Sequence, residues 1–232
     1  MGTRRFHVAV LVSIVSGCSS SGSTRTGNLG HGTFNYKCVD QSDAACKTAT
    51  ITTGPLAGPT EFPGAIAEGA QFRMAYVIKP GDETLAGNPT LRVVSNVYLT
   101  KESDTFTALK SGFGAVVAKS TTTGQVIDYT LIKINPVGSL RLSDPGGGLP
   151  PPTVTLARGV TTEYVVEALG LHGETLDGTL GYKWDTSDAT VVTLQMGNPT
   201  ARMKVLASKA GTATLTVTLG TQSKLLSITV TP

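Results

Sequence analysis

Apolar and polar residues alternate strictly through the last part of the chain. Ala213, Leu215 and Val217 are separated by threonines, and residues 226–230 repeat the pattern with Leu, Ile and Val. A period of two places the apolar side chains on one face of an extended strand and the polar ones on the other. Similar runs recur between polar turns, and no segment has a helical repeat of comparable length. The sequence therefore predicts an all-β chain built from β-sandwiches.

Two stretches of Gly, Ser, Thr or Pro divide the chain. Residues 18–33 hold little that can be buried and are expected to form a flexible tether. Residues 144–152 have the sequence Asp-Pro-Gly-Gly-Gly-Leu-Pro-Pro-Pro. They are expected to form an interdomain linker that is flexible in its first half and extended in its second. The two breaks define domains at 34–143 and 153–232, each long enough to bury its own core.

The first 17 residues have the organisation of an export signal. Arg4 and Arg5 supply a positive start, and residues 8–15 are apolar but far shorter than the roughly 20 residues of a membrane-spanning helix. The run Val15-Ser16-Gly17-Cys18 that follows resembles the lipobox of bacterial lipoprotein signal peptides. The resemblance implies cleavage before Cys18 and acylation of this cysteine, so that a lipid holds the mature chain on a membrane. An incidental cysteine in an ordinary cleaved signal is the alternative.

The chain contains three cysteines, an odd number for an exported protein. If Cys18 carries lipid, Cys38 and Cys46 remain as a pair. A polar, turn-prone segment separates them, and they are expected to form a disulfide in an oxidising compartment. A metal site with His31 as a third ligand is the alternative. It is disfavoured because zinc motifs usually place paired cysteines about two to four residues apart. We expect no metal and no cofactor.

Charge argues against nucleic acid as a partner. The whole chain has 19 Lys and Arg against 16 Asp and Glu, and loss of Arg4 and Arg5 with the signal leaves 17 against 16. The mature chain is then close to neutral and has no clustered run of basic residues. Binding to a phosphate backbone depends on such a cluster.

Four blocks of the C-terminal domain follow one another at residues 153–159, 182–188, 191–194 and 209–218. Together they resemble the bacterial immunoglobulin-like group 2 domain, often called Big2. The resemblance covers nearly all of residues 153–231. It implies an immunoglobulin-like sandwich of the kind found in bacterial surface and envelope proteins, intimin-like and invasin-like adhesins among them. Asp185 and Thr186 replace the serines usual after the tryptophan, and residues 198–203 are less typical of the family's middle hairpin.

The N-terminal domain repeats parts of the same pattern. Three pairs of segments correspond: 68–69 with 158–159, 81–87 with 172–178, and 91–93 with 182–184. The repeat predicts a diverged immunoglobulin-like module in which Val93 takes the place of the core residue Trp184. The disulfide between Cys38 and Cys46 is expected to pin an additional N-terminal segment of this module.

No catalytic arrangement is evident. After processing, His31 and His172 are the remaining histidines that could act as a base, and they are expected in the tether and in a solvated turn. The chain has no Gly-x-Ser-x-Gly elbow and no His-Glu-x-x-His motif. We therefore expect no catalytic residues and no enzymatic activity.

Carboxylates occur in pairs that could supply oxygen ligands to calcium. The pairs are Asp82 with Glu83, Glu174 with Asp177, and Asp185 with Asp188. None has the spacing of a calcium loop, and Asp is common in turns for local reasons. Solvated turn residues are the favoured interpretation.

Several aromatic residues are candidates for ligand contacts. Tyr182 and Trp184 could stack on sugars, but both share a strand face with Leu180, so core packing is favoured. Phe113 lies between two glycines and is the best single candidate for an exposed contact residue, at the tip of a loop. The alternation does not place Tyr98 or Phe106 clearly.

These observations predict a non-catalytic bacterial envelope lipoprotein whose modules act in adhesion, in protein contact or as a structural spacer. A polysaccharide-binding surface lipoprotein is the alternative. Ser19 and Ser20 lack the aspartate that commonly retains such proteins in the inner membrane of Gram-negative bacteria. The resemblance therefore favours the outer membrane. The sequence does not identify the ligand.

Overall fold

Strands account for nearly all regular structure in the computed structural model, which describes residues 24–46, 62–82, 89–196 and 200–232. In these ranges seventeen strands form four sheets, two in each half of the chain. The expected all-β fold of two tandem immunoglobulin-like sandwiches is confirmed. Cys18 and Glu83 lie outside the described residues. No helix in the described ranges is long and apolar enough to cross a membrane.

The N-terminal module contains nine of these strands. They are β1 Thr24–Thr26, β2 Gly32–Lys37, β3 Ile66–Ala67, β4 Gln71–Ile78, β5 Thr90–Val93, β6 Leu99–Glu102, β7 Thr105–Ala108, β8 Gly112–Lys119 and β9 Val126–Asn135. One sheet has the order β1-β2-β4-β7-β6 and the other the order β3-β9-β8-β5. A short 3-10 turn, Ala44–Cys46, lies in the loop between β2 and β3.

The C-terminal module contains the other eight strands. They are β10 Ser139–Ser143, β11 Thr153–Ala157, β12 Thr161–Leu169, β13 Lys183–Thr186, β14 Val192–Met196, β15 Arg202–Ala207, β16 Gly211–Leu219 and β17 Gln222–Thr231. Its sheets have the orders β10-β12-β15-β14 and β11-β17-β16-β13.

The two modules share one topology. In each, a first strand pairs antiparallel with a long neighbour, β2 with β4 and β10 with β12. The chain then crosses to the opposite sheet and pairs parallel with the last strand, β3 with β9 and β11 with β17. The remaining strand orders also correspond, and β1 is an addition at one sheet edge. The internal repeat predicted from the sequence is therefore present in the strand order.

A matching turn shows how closely the copies correspond. Gly69 and Gly159 both adopt positive φ, at 84° and 86°. The Gly69 amide donates to the carbonyl of Ala108 over 2.8 Å, and the Gly159 amide donates to that of Ala207 over 2.7 Å. A left-handed backbone at this point favours glycine, which explains why the residue recurs in both modules.

Alternating apolar side chains fill both cores. In the N-terminal module Phe34, Tyr36, Phe72 and Phe106 are fully buried or nearly so, and Phe72 stacks on Phe106 with ring centroids 5.4 Å apart. In the C-terminal module the alternating residues of β16 and β17 are buried. Burial of these apolar faces is the main stabilising term of both sandwiches.

The position of Trp184 in the C-terminal module has a structural equivalent in the N-terminal module. Val93 lies opposite Val116 as Trp184 lies opposite Val217, and both Val93 and Trp184 are partly buried against the core. The placement of Val93 at the tryptophan position is confirmed.

The expected tether is wrong for residues 24–33. β1 pairs with β2 in antiparallel register, and the turn between them is fixed by the buried carboxylate of Asp128. This carboxylate accepts the backbone amides of Leu29 and His31 over 2.8 and 3.0 Å. Composition alone suggested a tether because a Thr- and Gly-rich edge strand buries few side chains. Backbone hydrogen bonds and one distant aspartate hold this segment in place.

The expected interdomain linker at 144–152 is also wrong. β10 precedes it and belongs to the C-terminal module, where its Leu140 and Leu142 are buried. Residues 144–152 therefore carry the chain from one sheet of this module to the other. The turn is ordered: the Gly148 amide donates to Asp144 Oδ1 over 2.8 Å. Gly and Pro suit a segment in which the chain leaves one sheet and enters the next. Because β10 pairs with β12, the boundary between the modules lies between β9 and β10.

We expect fragments that begin at residue 137 and at residue 153 to differ sharply in stability. The shorter fragment lacks β10 and should lose about 3–6 kcal/mol of unfolding free energy, because full burial of each leucine contributes about 1.5–3 kcal/mol. Urea titration followed by the fluorescence of Trp184, the one tryptophan of the chain, measures this difference. Equal stability of the two fragments would contradict the assignment of β10 to this module.

Candidate functional site at the contact between the modules

The loop after β2 is closed by a disulfide. Cys38 and Cys46 are bonded to each other, with their Cα atoms 6.0 Å apart, which confirms the predicted pair. Both are buried. The third side chain close to the two sulfur atoms is Asp43, not His31. The loop therefore holds a carboxylate at a defined position beside the bridge.

Asp43 connects the two modules. It is fully buried, and its Oδ2 accepts the hydroxyl of Tyr36 over 2.6 Å. Its Oδ1 accepts the amide of Ala45 over 3.0 Å and the amide of Gly178 over 2.9 Å. Tyr36 and Ala45 belong to the N-terminal module and Gly178 to the C-terminal one. A buried carboxylate with three donors thus spans the contact.

Backbone hydrogen bonds extend this contact on both sides of Gly178. Asp177 exchanges bonds with Ala65 and Ala67, at 3.1 and 3.0 Å. Thr179 and Gln71 donate to each other's carbonyls over 2.8 and 2.9 Å. The segment between β12 and β13 therefore adds to the edges of β3 and β4 as a short strand would, which satisfies backbone groups of both modules.

Side chains complete the contact at its margins. Thr179 Oγ1 donates to Asp40 Oδ1 over 3.3 Å, and Asn135 Nδ2 donates to Glu174 Oε1 over 2.7 Å. Glu174 and Asp177 remain partly exposed, as expected, but they also take part in the contact between the modules. Both lie in the segment that joins the modules, and Glu174 binds a side chain of β9.

The contact leaves no room for a side chain at Gly178. The φ of this residue, 98°, lies in the left-handed region, and a Cβ atom there would lie 2.7 Å from the Cβ of Ala70. A side chain would therefore strain the backbone and push the modules apart.

Burial governs the electrostatics of Asp43. Loss of solvent raises the pKa of this carboxyl above its usual value, and the hydrogen bonds from Tyr36, Gly178 and Ala45 lower it in part. Burial also raises the pKa of the Tyr36 phenol, and the neighbouring Asp43 adds to that rise. The phenol therefore remains a proton donor to the carboxylate at neutral pH.

The histidines considered as bases lie in turns at separate places. His31 is held between β1 and β2 rather than in a tether, and its Nδ1 lies 3.2 Å from Asp82 Oδ2. His172 lies in an exposed turn, as expected, where its backbone amide donates to Glu174 Oε2 over 3.1 Å. Asp188 accepts the amide and the hydroxyl of Thr190, so it stabilises its own turn.

The aromatic candidates separate into core and surface. Tyr182 is buried, and Trp184 packs against the core with its Nε1 donating to the Thr200 carbonyl over 2.8 Å, as favoured from the sequence. Phe106 is fully buried and Tyr98 is partly buried. Phe113 is exposed as predicted, but it lies in β8 and not at a loop tip.

Asp43 and Asp128 are functional residues that the sequence does not reveal. Both are aspartates in segments whose alternation is interrupted, and nothing in their neighbours distinguishes them from solvated turn residues. Their role comes from backbone amides supplied by segments far away in the chain. The disulfide was the one available signal that the loop around Asp43 is held in a defined shape.

Comparisons with known proteins concern the architecture alone. No family model matches the chain, and no curated protein matches it by sequence. Domains 4 and 5 of the S-layer protein SbsC are 12% identical, with a TM-score of 0.37, over 75% of this chain and 97% of that one. The Escherichia coli adhesin FdeC is 14% identical, with a TM-score of 0.34, over 72% and 60%. A tandem pair of titin immunoglobulin domains is 15% identical, with a TM-score of 0.28, over 72% and 90%.

We expect Gly178→Ala to weaken the contact between the modules by about 1–3 kcal/mol, through positive φ and overpacking against Ala70. Gly181→Ala is the matched control, because no atom lies within 4 Å of its added Cβ. Calorimetric unfolding should show one cooperative transition for the wild type and the control, and two separated transitions for Gly178→Ala. A single transition in Gly178→Ala at the wild-type temperature would show that cooperative unfolding of the two modules does not depend on this contact.

Asp43 should make stability depend on pH in a direction opposite to that of most carboxylates. Its pKa is higher in the folded chain than in the unfolded one, so its favourable contribution is present below the unfolded value of about 3.9 and is lost as pH rises through the folded value. Relative to Asp43→Asn, the wild type should therefore gain stability as pH falls from about 7 to about 4.

Urea titrations at several pH values measure this effect, and Asp188→Asn is the control. The hydrogen bonds from Thr190 lower the pKa of Asp188, so its contribution is present above the unfolded value and is lost only at more acidic pH. The difference between wild type and Asp188→Asn should stay constant from about pH 7 to about pH 5 and fall, rather than rise, at lower pH. A constant difference for Asp43→Asn as well would refute the prediction.

Proposed function

We propose that this chain is a non-catalytic bacterial envelope lipoprotein, anchored through an acylated Cys18, in which two locked immunoglobulin-like modules form a rigid spacer that presents a contact surface. The observation that carries the spacer role is the contact through Asp43. Two sandwiches joined by a flexible linker would reorient freely, whereas a buried carboxylate and paired backbone amides resist relative movement.

Chain length supports close attachment to the membrane. β1 begins at Thr24, six residues after Cys18. Six residues span at most about 20 Å even when fully extended. A lipid on Cys18 would therefore hold the N-terminal module near the bilayer surface. Bacterial lipoproteins carry more than one acyl chain, and multiple chains give stable anchoring where a single chain would not.

Adhesion or protein contact is favoured over polysaccharide binding. The two aromatics that could have stacked on sugars, Tyr182 and Trp184, pack against the core of the C-terminal module. We further propose an outer-membrane location, which rests on the serines at positions 19 and 20.

Metabolic labelling with a palmitate analogue tests the anchor. We expect the wild type to be labelled and to partition into the detergent phase of a Triton X-114 separation. Cys18→Ala should lose both properties, because it lacks the acylated sulfur. Cys38→Ser with Cys46→Ser is the matched control: it removes two cysteines and should leave labelling unchanged. Absence of label in wild type and Cys18→Ala alike would refute the anchor.

A further inference from the structure

One outer sheet face of the N-terminal module is apolar. It belongs to the sheet β3-β9-β8-β5, and it exposes 64% of Val94, 60% of Phe113 and 45% of Leu131. The Val94 amide donates to the Ala115 carbonyl over 3.1 Å, and Ala115 lies opposite Leu131. Val94, which directly follows β5, therefore forms a row with Ala115 of β8 and Leu131 of β9, and Phe113 lies beside this row. We call this surface the β5-β8-β9 face.

The C-terminal module shows that the fold does not require this apolar surface. Since Val93 corresponds to Trp184 and Val116 to Val217, the strand registers define every equivalent position. Threonine or aspartate occupies the positions of the three most distinctive residues: Asp185 for Val94, Thr214 for Phe113 and Thr216 for Ala115. Leu131 alone has an apolar equivalent, Leu225. The same sandwich is thus built with a polar outer face, so the apolar residues serve something other than folding.

Cations flank the apolar residues of this face. Arg92 lies opposite Val117, Lys133 lies opposite Phe113, and Lys119 lies opposite Thr90. The one carboxylate in the described residues of these four strands is Asp128, which is fully buried and binds the amides of residues 29 and 31. Within the described residues of these strands the face therefore has an apolar centre with cations and no exposed acid, and the nearby Glu68 carboxylate is occupied by the backbone amide of Ser111. Pairing with a second copy of the same face would bring like charges together, which opposes self-association.

The chemistry of the face restricts its occupant. Sugar hydroxyls both donate and accept hydrogen bonds, whereas the side chains of Val94, Ala115, Leu131 and Lys133 around Phe113 provide no acceptor. Insertion into a bilayer requires apolar groups to pass about 5–10 Å into the headgroup boundary. Side chains on a flat sheet cannot do this without immersing the whole sheet. A flat protein surface that carries apolar residues and carboxylates fits both the shape and the charge.

From this complementarity we infer that the β5-β8-β9 face is the contact surface of the molecule and docks an acidic, partly apolar protein surface. The inference rests on the proposed non-catalytic contact function and adds where contact occurs and with what chemistry. Phe113 acts as the central anchor, Lys133 selects a carboxylate beside it, and Arg92 selects a second carboxylate further along β8.

Panning a random dodecapeptide phage library on the full chain in detergent tests the inference. Enriched peptides should carry net negative charge together with aliphatic or aromatic residues, and synthetic versions should bind more weakly as salt rises. Phe113→Thr copies Thr214 of the second module and should weaken binding by about tenfold or more, as expected for loss of an anchor. Lys133→Glu should weaken it to a similar degree.

Leu225→Thr is the matched control, because it removes an exposed apolar residue from the equivalent sheet of the other module and should leave binding unchanged. Unchanged unfolding midpoints of the variants show that the fold is intact. Enrichment of neutral or basic peptides, or binding that survives Phe113→Thr, overturns the inference. So does Phe113-dependent binding to phosphatidylglycerol vesicles or to polygalacturonate. Peptide binding and palmitate labelling at Cys18 are independent measurements. A negative result in peptide binding contradicts the docking face alone, and a negative result in labelling contradicts the lipid anchor alone.

Discussion

A single buried carboxylate determines how the two halves of this protein relate to each other. Asp43 is removed from water, and its oxygens accept hydrogen bonds from Tyr36 and Ala45 in one module and from Gly178 in the other. An unpaired carboxylate in this position would be costly, so each module depends on the other to satisfy it. The disulfide between Cys38 and Cys46 keeps the loop in the shape that presents this carboxylate. Hydrogen bonds across a small contact thus join the two modules.

Inside each module, the chain crosses from one sheet to the other near its start. An early strand, β2 or β10, pairs in the first sheet, and the strand that follows it in the chain, β3 or β11, forms an edge of the second sheet. One continuous stretch of chain therefore connects the two sheets. In the C-terminal module this crossing uses the segment rich in Gly and Pro at 144–152, and in the N-terminal module it uses the longer stretch that includes the disulfide loop. The insertion that enlarges one crossing also supplies Asp43. The longer loop of the N-terminal module is thus the element that contacts the C-terminal module.

The shared strand register of the two modules also allows the exposed residues of the N-terminal module to be compared with their equivalents in the C-terminal module. Phe113 against Thr214 and Val94 against Asp185 are differences that the fold does not demand. Exposed apolar residues stay in contact with water unless a partner covers them, and cations beside them specify the sign of that partner's charge. The proposed spacer and the proposed contact face then have separate locations, one between the modules and one on the side of the first.

The sequence by itself determined the all-β class, the two modules, their repetition and the disulfide pair, because alternation, turn residues and cysteine count are local signals. It also placed Tyr182 and Trp184 in the core and Phe113 on the surface. Only the tertiary structure decided that residues 24–33 form part of a sheet, that residues 144–152 lie within a module, and that Asp43 joins the two halves. Each of these depends on which distant backbone amides reach a given strand edge or carboxylate. Composition reports how much a segment can bury, but it does not report the hydrogen-bond partners that the rest of the fold brings to it.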